Sequence, residues 1–371
     1  MSKQKQKAVK EPLIHITKKR NDMVWWQAWL IRGAAVVLAL IVCALIIVLL
    51  TGYNPIEVYK KMIEGSFSTT RKVWSLLQGI AMLLCISLAV TPAFKMKFWN
   101  LGAQGQVLVG ALACAACMFY FKSTLPSWLL IVVMLFAAIV AGMIWALIPA
   151  FFKAHWNTNE SLFTLMMNYI AIQLVSFAIA SWVTSGSGVL GLLNSDTNCG
   201  WLPSVFGQKY FINVVTVALL TVIMYVYLKY TKHGYEIAVV GGSENTARYI
   251  GINVKNIILR TLAFSGAMCG LAGFLLVSGT HHTVTETLEG GMGFTAIMVS
   301  WLAKFNPIVM VLTSFLIVFL QRGSSEIATA FRLNESVADI LTGVILFFII
   351  GCEFFIRYKI HFRKKHKEGE E

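Results

Sequence analysis

Apolar residues run along this chain in long blocks with no period-two alternation. The blocks lie at 32–51, 73–92, 101–121, 126–151, 161–184, 210–229, 258–279, 291–303, 306–321 and 336–357. A bilayer core needs about 20 apolar residues for one helical crossing. Most of the blocks reach that length, and helices satisfy their own backbone groups in lipid. The alternation over about 10 residues that marks a barrel strand is absent. The pattern predicts an all-α polytopic membrane protein with about ten transmembrane helices. The blocks at 291–303 and 306–321 are short, and Asn306-Pro307 separates them. They read either as two tightly linked spans or as one broken re-entrant pair.

Composition agrees with the pattern. Of the 371 residues 57% are hydrophobic and 13% are charged, against about 25% charged in soluble domains. Mean hydropathy is +0.71. The formal net charge of +14 follows topology rather than nucleic-acid binding, for which no aromatic-studded basic fold is present. Lys95, Lys97, Lys153, Lys229, Lys232, Arg248, Lys255 and Arg260 fall on the same side as both basic ends. The positive-inside rule then places both termini in the cytoplasm and the chain in the cell membrane. The organisation expected is a basic cytoplasmic segment at 1–31, a transmembrane domain at 32–357, a cytoplasmic coupling loop at 230–257 and a basic cytoplasmic tail at 358–371. Both ends read as disordered at the membrane surface, and the first helix as a retained anchor. The Cys114-x-x-Cys117 spacing sits in a small-residue helix without a nearby His, so it reads as packing.

Candidate chemistry is sparse. No Gly-Lys dipeptide occurs, which rules out a Walker A loop. No HExxH, no GxSxG and no carboxylate pair at helical spacing appears within an apolar run, so no catalytic residue is assigned. No metal ligand set and no cofactor bound by the chain are expected. Intramembrane charge is limited to Asp339 and Glu353 in the last block. A proton-coupled secondary transporter would rely on such groups, and Asp339 is its best candidate. What the blocks do carry is amides. Gln78, Asn100, Gln104, Gln106, Asn168 and Gln173 suit a polar, uncharged substrate path, because amides both donate and accept. Hydrogen bonding between helices is the competing role for each.

Two stretches stand out. Asn100 to Gln106, "NLGAQGQ", places two glycines and three amides in front of the small-residue run Gly110 to Ala116. Gly102 and Gly105 allow the backbone to bend, and the amides can satisfy the backbone groups so freed. This reads as a broken helix start facing protein or pore. In the loop, Ser243 is placed to cap a short helix over residues 246–250 that Gly251 ends. Such a helix can dock in a partner's groove or lie idle on the surface. Gly266 and Gly270 form a GxxxG spacing that close helix packing explains.

These stretches resemble a known family. "GGSENTARYIGINVKN" is similar to the coupling loop of importer permeases for simple sugars, branched-chain amino acids and nucleosides. "FSGAMCGLAG", "EGGMGFTAIMVSWLAKFNP" and "NESLFTLMMNYIA" look like other parts of that family. "FWNLGAQGQ" resembles the Phe-Asn-Ile-Gly-Ala-Glu-Gly-Gln motif of the nucleoside-uptake branch, with Trp99 inserted and Gln104 in place of the Glu. The resemblance covers about 50–355. It implies a type II ABC importer-like permease fold. It also implies the inward passage of nucleosides, with ribose or another simple sugar as the alternative. ATP would be hydrolysed by a separate cytoplasmic ABC ATPase gripping Glu244, Asn245, Ala247, Arg248, Gly251 and Ile252. Arg248 would pair with an acid on that subunit, and Ala247 and Ile252 would fill an apolar notch. A second related permease would complete the pore, and an extracellular substrate-binding lipoprotein would deliver the solute.

Overall fold

A computed structural model describes residues 14–18, 25–183, 190–332 and 334–362. Thirteen helices and two short strands are assigned among them. In order they are β1 (Ile14–Lys18), α1 (Trp25–Thr51), α2 (Pro55–Phe67), α3 (Thr70–Lys95), α4 (Ala103–Tyr120), α5 (Ser127–Trp156) and α6 (Glu160–Trp182). Then come α7 (Phe211–Tyr230), α8 (Lys232–Gly242), α9 (Glu244–Tyr249) and α10 (Val254–Leu276), which runs into a π-helical turn, Val277–His281. The chain ends with α11 (Met292–Leu302), α12 (Pro307–Ala330), α13 (Glu335–Arg357) and β2 (Tyr358–Phe362). Eight helices are long and apolar enough to cross a membrane, and Met292–Leu302 and Ile340–Ile356 are shorter apolar helices. The protein is an all-α, multi-pass membrane chain, as the blocks predict.

Four details differ from the pattern. Helix α2 is absent from it, because Glu57, Lys60, Lys61 and Glu64 break its apolar character. Helix α12 runs on to Ala330, past Gln321 and Arg322. It is a full-length helix, whereas α11 has 11 residues and stays short. The first helix starts at Trp25, seven residues early. Part of each basic end is ordered, for β1 pairs antiparallel with β2 from Ile14↔Phe362 to Lys18↔Tyr358.

The chain divides into two compact units, 1–62 with 324–371, and 63–323. In the first, α1 packs on α13. Ala39, Cys43 and Ile47 are buried on α1, four residues apart, as are Leu341, Ile345 and Ile349 on α13. This is the i, i+4 stripe of a packed helix pair, and the Cys43 thiol donates to the Leu341 carbonyl. The side chains of Asp339 and Glu353 lie outside the described ones.

The second unit is built around α3 and α10, which are buried along most of their length. Helix α10 packs on α3, α4 and α5, and glycine sets how closely. A Cβ on Gly110 would stand 2.6 Å from the Gly270 Cα, and one on Gly142 2.8 Å from the same atom. A Cβ on Gly273 would lie 2.6 Å from the Ala111 nitrogen, and one on Gly270 would overlap the Ala138 carbonyl. Backbone here touches backbone across three helices, as the GxxxG spacing predicts. The outer faces are apolar: α5 exposes Trp128, Phe136, Ile144 and Trp156, and α7 exposes Leu219 and Val222.

Gly270→Val should therefore destabilise the second unit by more than ~3 kcal/mol, since backbone rather than a flexible side chain blocks the new atoms. Gly343→Ala in α13, where a Cβ meets nothing within 4 Å, should be neutral or slightly stabilising. Melting of the purified variants in detergent reads both, and equal melting temperatures would refute the glycine contact.

Candidate functional site

The 100–106 segment is a bend. Lys97 takes φ +63, the backbone then runs irregularly, and α4 begins only at Ala103. Asn100 is fully buried and holds this bend from inside. Its Oδ1 accepts from the Gly102 nitrogen at 3.1 Å and from Gln106 Nε2 at 3.1 Å. Its Nδ2 faces Gln106 Oε1 at 3.5 Å and Ser265 Oγ on α10 at 3.4 Å. From α6, Asn168 Oδ1 accepts from the Gly105 nitrogen and its Nδ2 donates to the Leu101 carbonyl, both at 2.8 Å. Thr164 Oγ1 accepts from the Leu101 nitrogen at 3.1 Å. The backbone groups released by the break thus find partners, as lipid depth demands.

Of the six amides singled out, Asn100, Gln106 and Asn168 converge here with their polar atoms engaged. Gln104 is half-buried in the first turn of α4. Its backbone faces the start of α11, where a Cβ on Gly293 would stand 3.0 Å from the Gln104 nitrogen. Buried Glu289 accepts from the Gly293 nitrogen at 2.6 Å and so closes the start of α11. The inserted Trp99 stacks on Trp301 with ring centres 5.7 Å apart, and Phe94 meets both rings edge-on. Gln173 stands apart, exposed on α6.

Gln78 belongs to a different cluster. It lies buried in α3, and its Nε2 donates to Thr280 Oγ1 in the π-helical turn. Asn213 of α7, also buried, donates to the same oxygen at 3.2 Å and to the Leu275 carbonyl at 3.3 Å. Sequence reasoning missed Asn213 and Thr280. A π turn, which brings an extra residue into a helix, leaves no periodic signal.

The 230–257 segment is fastened down. Thr231 caps α8, accepting from the Gly234 nitrogen at 3.1 Å. Ser243 caps α9, accepting from the Thr246 nitrogen at 3.3 Å, and Gly251 ends it at φ +83, both as the residues predict. Ile237 and Val240 of α8 and Ala247 of α9 are buried in one apolar cluster. Its other members are Ala93, Met96 and Phe98, Ala150 and Ala154 of α5, and Val254, Ile257, Ile258 and Leu262 of α10. Ile252 packs against it.

The outward face therefore differs from the one expected. Ala247 is 0% exposed and turns inward, so it fills a notch in its own chain and none in a partner. Glu244, Asn245 and Arg248 point out, with Arg248 3.6 Å from Glu244, an exposed i, i+4 pair of small energetic weight. At the end of α9 the large exposed apolar groups are Tyr249, at 96%, and Ile250, at 56%.

Residues 73–350 match the family model described as the permease component of branched-chain amino acid transport systems. A glucose ABC transporter permease of Haloferax volcanii, TsgB13, is 28% identical over 90% of each chain. The guanosine permease NupP of Bacillus subtilis is 28% identical over 89% of this chain and 95% of its own. The nucleoside permease NupB of Lactococcus lactis is 26% identical over 88% and 91%. With most of its spans, its bent 100–106 segment and its fastened 230–257 segment inside the matched region, the chain belongs to the family of ABC transport permease components.

Proposed function

We propose that this chain is the membrane-spanning permease of an importer that carries nucleosides inward, driven by a separate ATPase. The observation that carries the coupling part is the docked 230–257 segment. It is packed onto the ends of α3, α5 and α10 while presenting Arg248, Tyr249 and Ile250 outward. A load applied to that outward face reaches three spans at once. ATP binding by the partner supplies the differential affinity that shifts outward and inward states. The contact set is then Glu244, Asn245, Arg248, Tyr249 and Ile250, with Gly251 ending the helix and Ala247 and Ile252 anchoring it. The catalytic work belongs to the ATPase, and this chain binds no cofactor of its own.

The basic ends, 1–31 and 358–371, and the 230–257 loop belong on the cytoplasmic side in this reading. A second permease completes the pore, and an extracellular binding lipoprotein feeds it. The nucleoside assignment is supported by the relatives named for guanosine and nucleosides and by the 98–106 motif. A simple sugar is the second reading, favoured by the relative named for glucose. Both classes present hydroxyls that amides recognise. Within the path, Gln104 is the contact candidate at the bend, and Asn100, Gln106 and Asn168 position it. Gln173, exposed on α6, is assigned in this reading to the side of the second permease.

Two outcomes follow. Tyr249→Ala with Ile250→Asp should lower uptake at least roughly tenfold, the loss of about 1.4 kcal/mol of docking, with membrane levels unchanged. Undiminished uptake would remove α9 as the docking element. In cells carrying the gene, uptake of labelled guanosine should be displaced by excess nucleosides and not by ribose or glucose. Displacement by sugars alone would transfer the assignment to sugars. Uptake that survives ATP depletion but collapses with the proton gradient would overturn the ATP-driven reading.

A further inference from the structure

Between Thr283 and the start of α11 the chain enters the membrane without a helix. One end is tied to the loop before α7. The Leu193 nitrogen donates to the His282 carbonyl at 2.8 Å, and Thr283 Oγ1 donates to the Leu190 carbonyl at 2.9 Å. Asn194 Nδ2 in turn ties that loop to the Met118 carbonyl of α4 at 3.0 Å. The other end meets the bend, where a Cβ on Gly293 would stand 3.0 Å from the Gln104 nitrogen. There the Gly105 nitrogen donates to Asn168 Oδ1 at 2.8 Å. Helix lengths turn these anchors into depths. At 1.5 Å per residue, Met118 is ~20 Å along α4 from Gly105, and Asn168 is ~12 Å along α6 from Glu160. Glu160 pairs with Lys153 at 2.9 Å and marks one membrane face. The two lengths together match the apolar core of a bilayer, about 30 Å. The start of α11 therefore lies well inside the membrane, and its 11 residues make a half-crossing.

Irregular backbone at membrane depth is tolerated only where protein buries it or water wets it. Here part of it is open. Glu286, Thr287, Gly290, Gly291 and Phe294 are exposed, while Val284, Leu288 and Glu289 are buried. The segment is a run of tight turns. The nitrogens of Leu288, Gly290 and Met292 donate to the carbonyls of Thr285, Thr287 and Glu289 at 2.9 to 3.2 Å. Gly290 and Gly291 take φ +57 and +75, which other residues reach only with strain. The charge is of one sign. No Lys, Arg or His occurs between His282 and Lys304. Among the described residues no cation pairs with Glu286. Glu289 accepts from the Gly293 nitrogen at 2.6 Å and so uses up the positive end of α11. An exposed carboxylate facing lipid is costly, which leaves water as the neighbour of Glu286.

We propose that residues 284–291 and the first turn of α11 line the solute path and set its charge preference. Glu286 accepts hydroxyls from a neutral solute and repels anions such as phosphate esters. The start of α11, already taken by Glu289, offers an anion nothing in exchange. The solute reading rests on the transport function proposed above, and the placement rests on the geometry.

The test is thiol labelling of the full chain in its own cell membranes, broken open so that both faces are wet. Thr287→Cys and Phe294→Cys are treated with a cationic and an anionic methanethiosulfonate. Each rate is divided by that of a free thiol in solution, after the parent chain's reaction is subtracted. Both variants should react at least tenfold faster than Phe136→Cys, which is exposed on the apolar outer face of α5. At Thr287→Cys the cation should be favoured over the anion at least tenfold, and adding Glu286→Gln should cut that preference at least threefold. Phe294→Cys serves for both measurements if the Thr287 variant fails to fold. Rates no higher than at Phe136→Cys overturn the path. Equal rates for the two reagents, or a preference untouched by Glu286→Gln, overturn the charge assignment. Failed labelling in cells that take up guanosine sinks the segment alone. Labelling as expected in cells that take up no nucleoside sinks the nucleoside reading and leaves the segment.

Discussion

Helices α4, α5 and α10 meet through backbone. Lipid tails are as apolar as the side chains they touch, so burial of apolar area gives little net drive between helices in a membrane. Close approach has to supply the attraction, and Gly110, Gly142, Gly266, Gly270 and Gly273 remove the atoms that would prevent it. Dispersion then acts over long stretches of main chain. Because α3 and α11 in turn pack on these helices, the positions of the polar groups depend on that contact. Ser265 reaches Asn100 only because α10 lies this close to α4.

The same closeness allows irregular backbone inside the unit. A bend at 96–102 exposes carbonyls and N–H groups that lipid cannot serve. Asn168 and Thr164 serve them from α6, and Asn100, itself held by Gln106, serves them from within the bend. The amides at this place are thus positioning groups. Gln78 and Asn213 form a separate cluster around Thr280, and each keeps an oxygen without a donor among the described residues.

Much of the fold was legible in the apolar blocks, because a membrane imposes length and composition on every crossing helix. The GxxxG spacing, the Ser243 cap and the stop at Gly251 were legible for the same reason: each is a local rule. What escaped was non-local or aperiodic. Asn100 meets Ser265, and Asn168 meets Leu101 and Gly105, across distances in sequence that no window spans. Asn213 and Thr280 are joined by a π turn. Helix α2 hides its buried Val58 and Met62 among charges. Ala247 and Tyr249 are two residues apart, and which of them faces out depends on how α8 and α9 settle on the ends of three spans. The pairing of β1 with β2 joins the two ends of the chain and has no local signal at all.

Helix α5 carries an exposed tryptophan at each end, Trp128 and Trp156. At 1.5 Å per residue they lie ~42 Å apart along the axis, close to the full thickness of a bilayer with its headgroups, about 40–45 Å. Indoles settle at the headgroup level, so this helix is a ruler whose marks must stay at two interfaces. A thinner bilayer makes it lean. Gly142 locks α5 to α10, so the lean is handed on to the whole glycine-joined group. Lipid thickness thereby becomes a mechanical input to the permease, set by the membrane in which it sits.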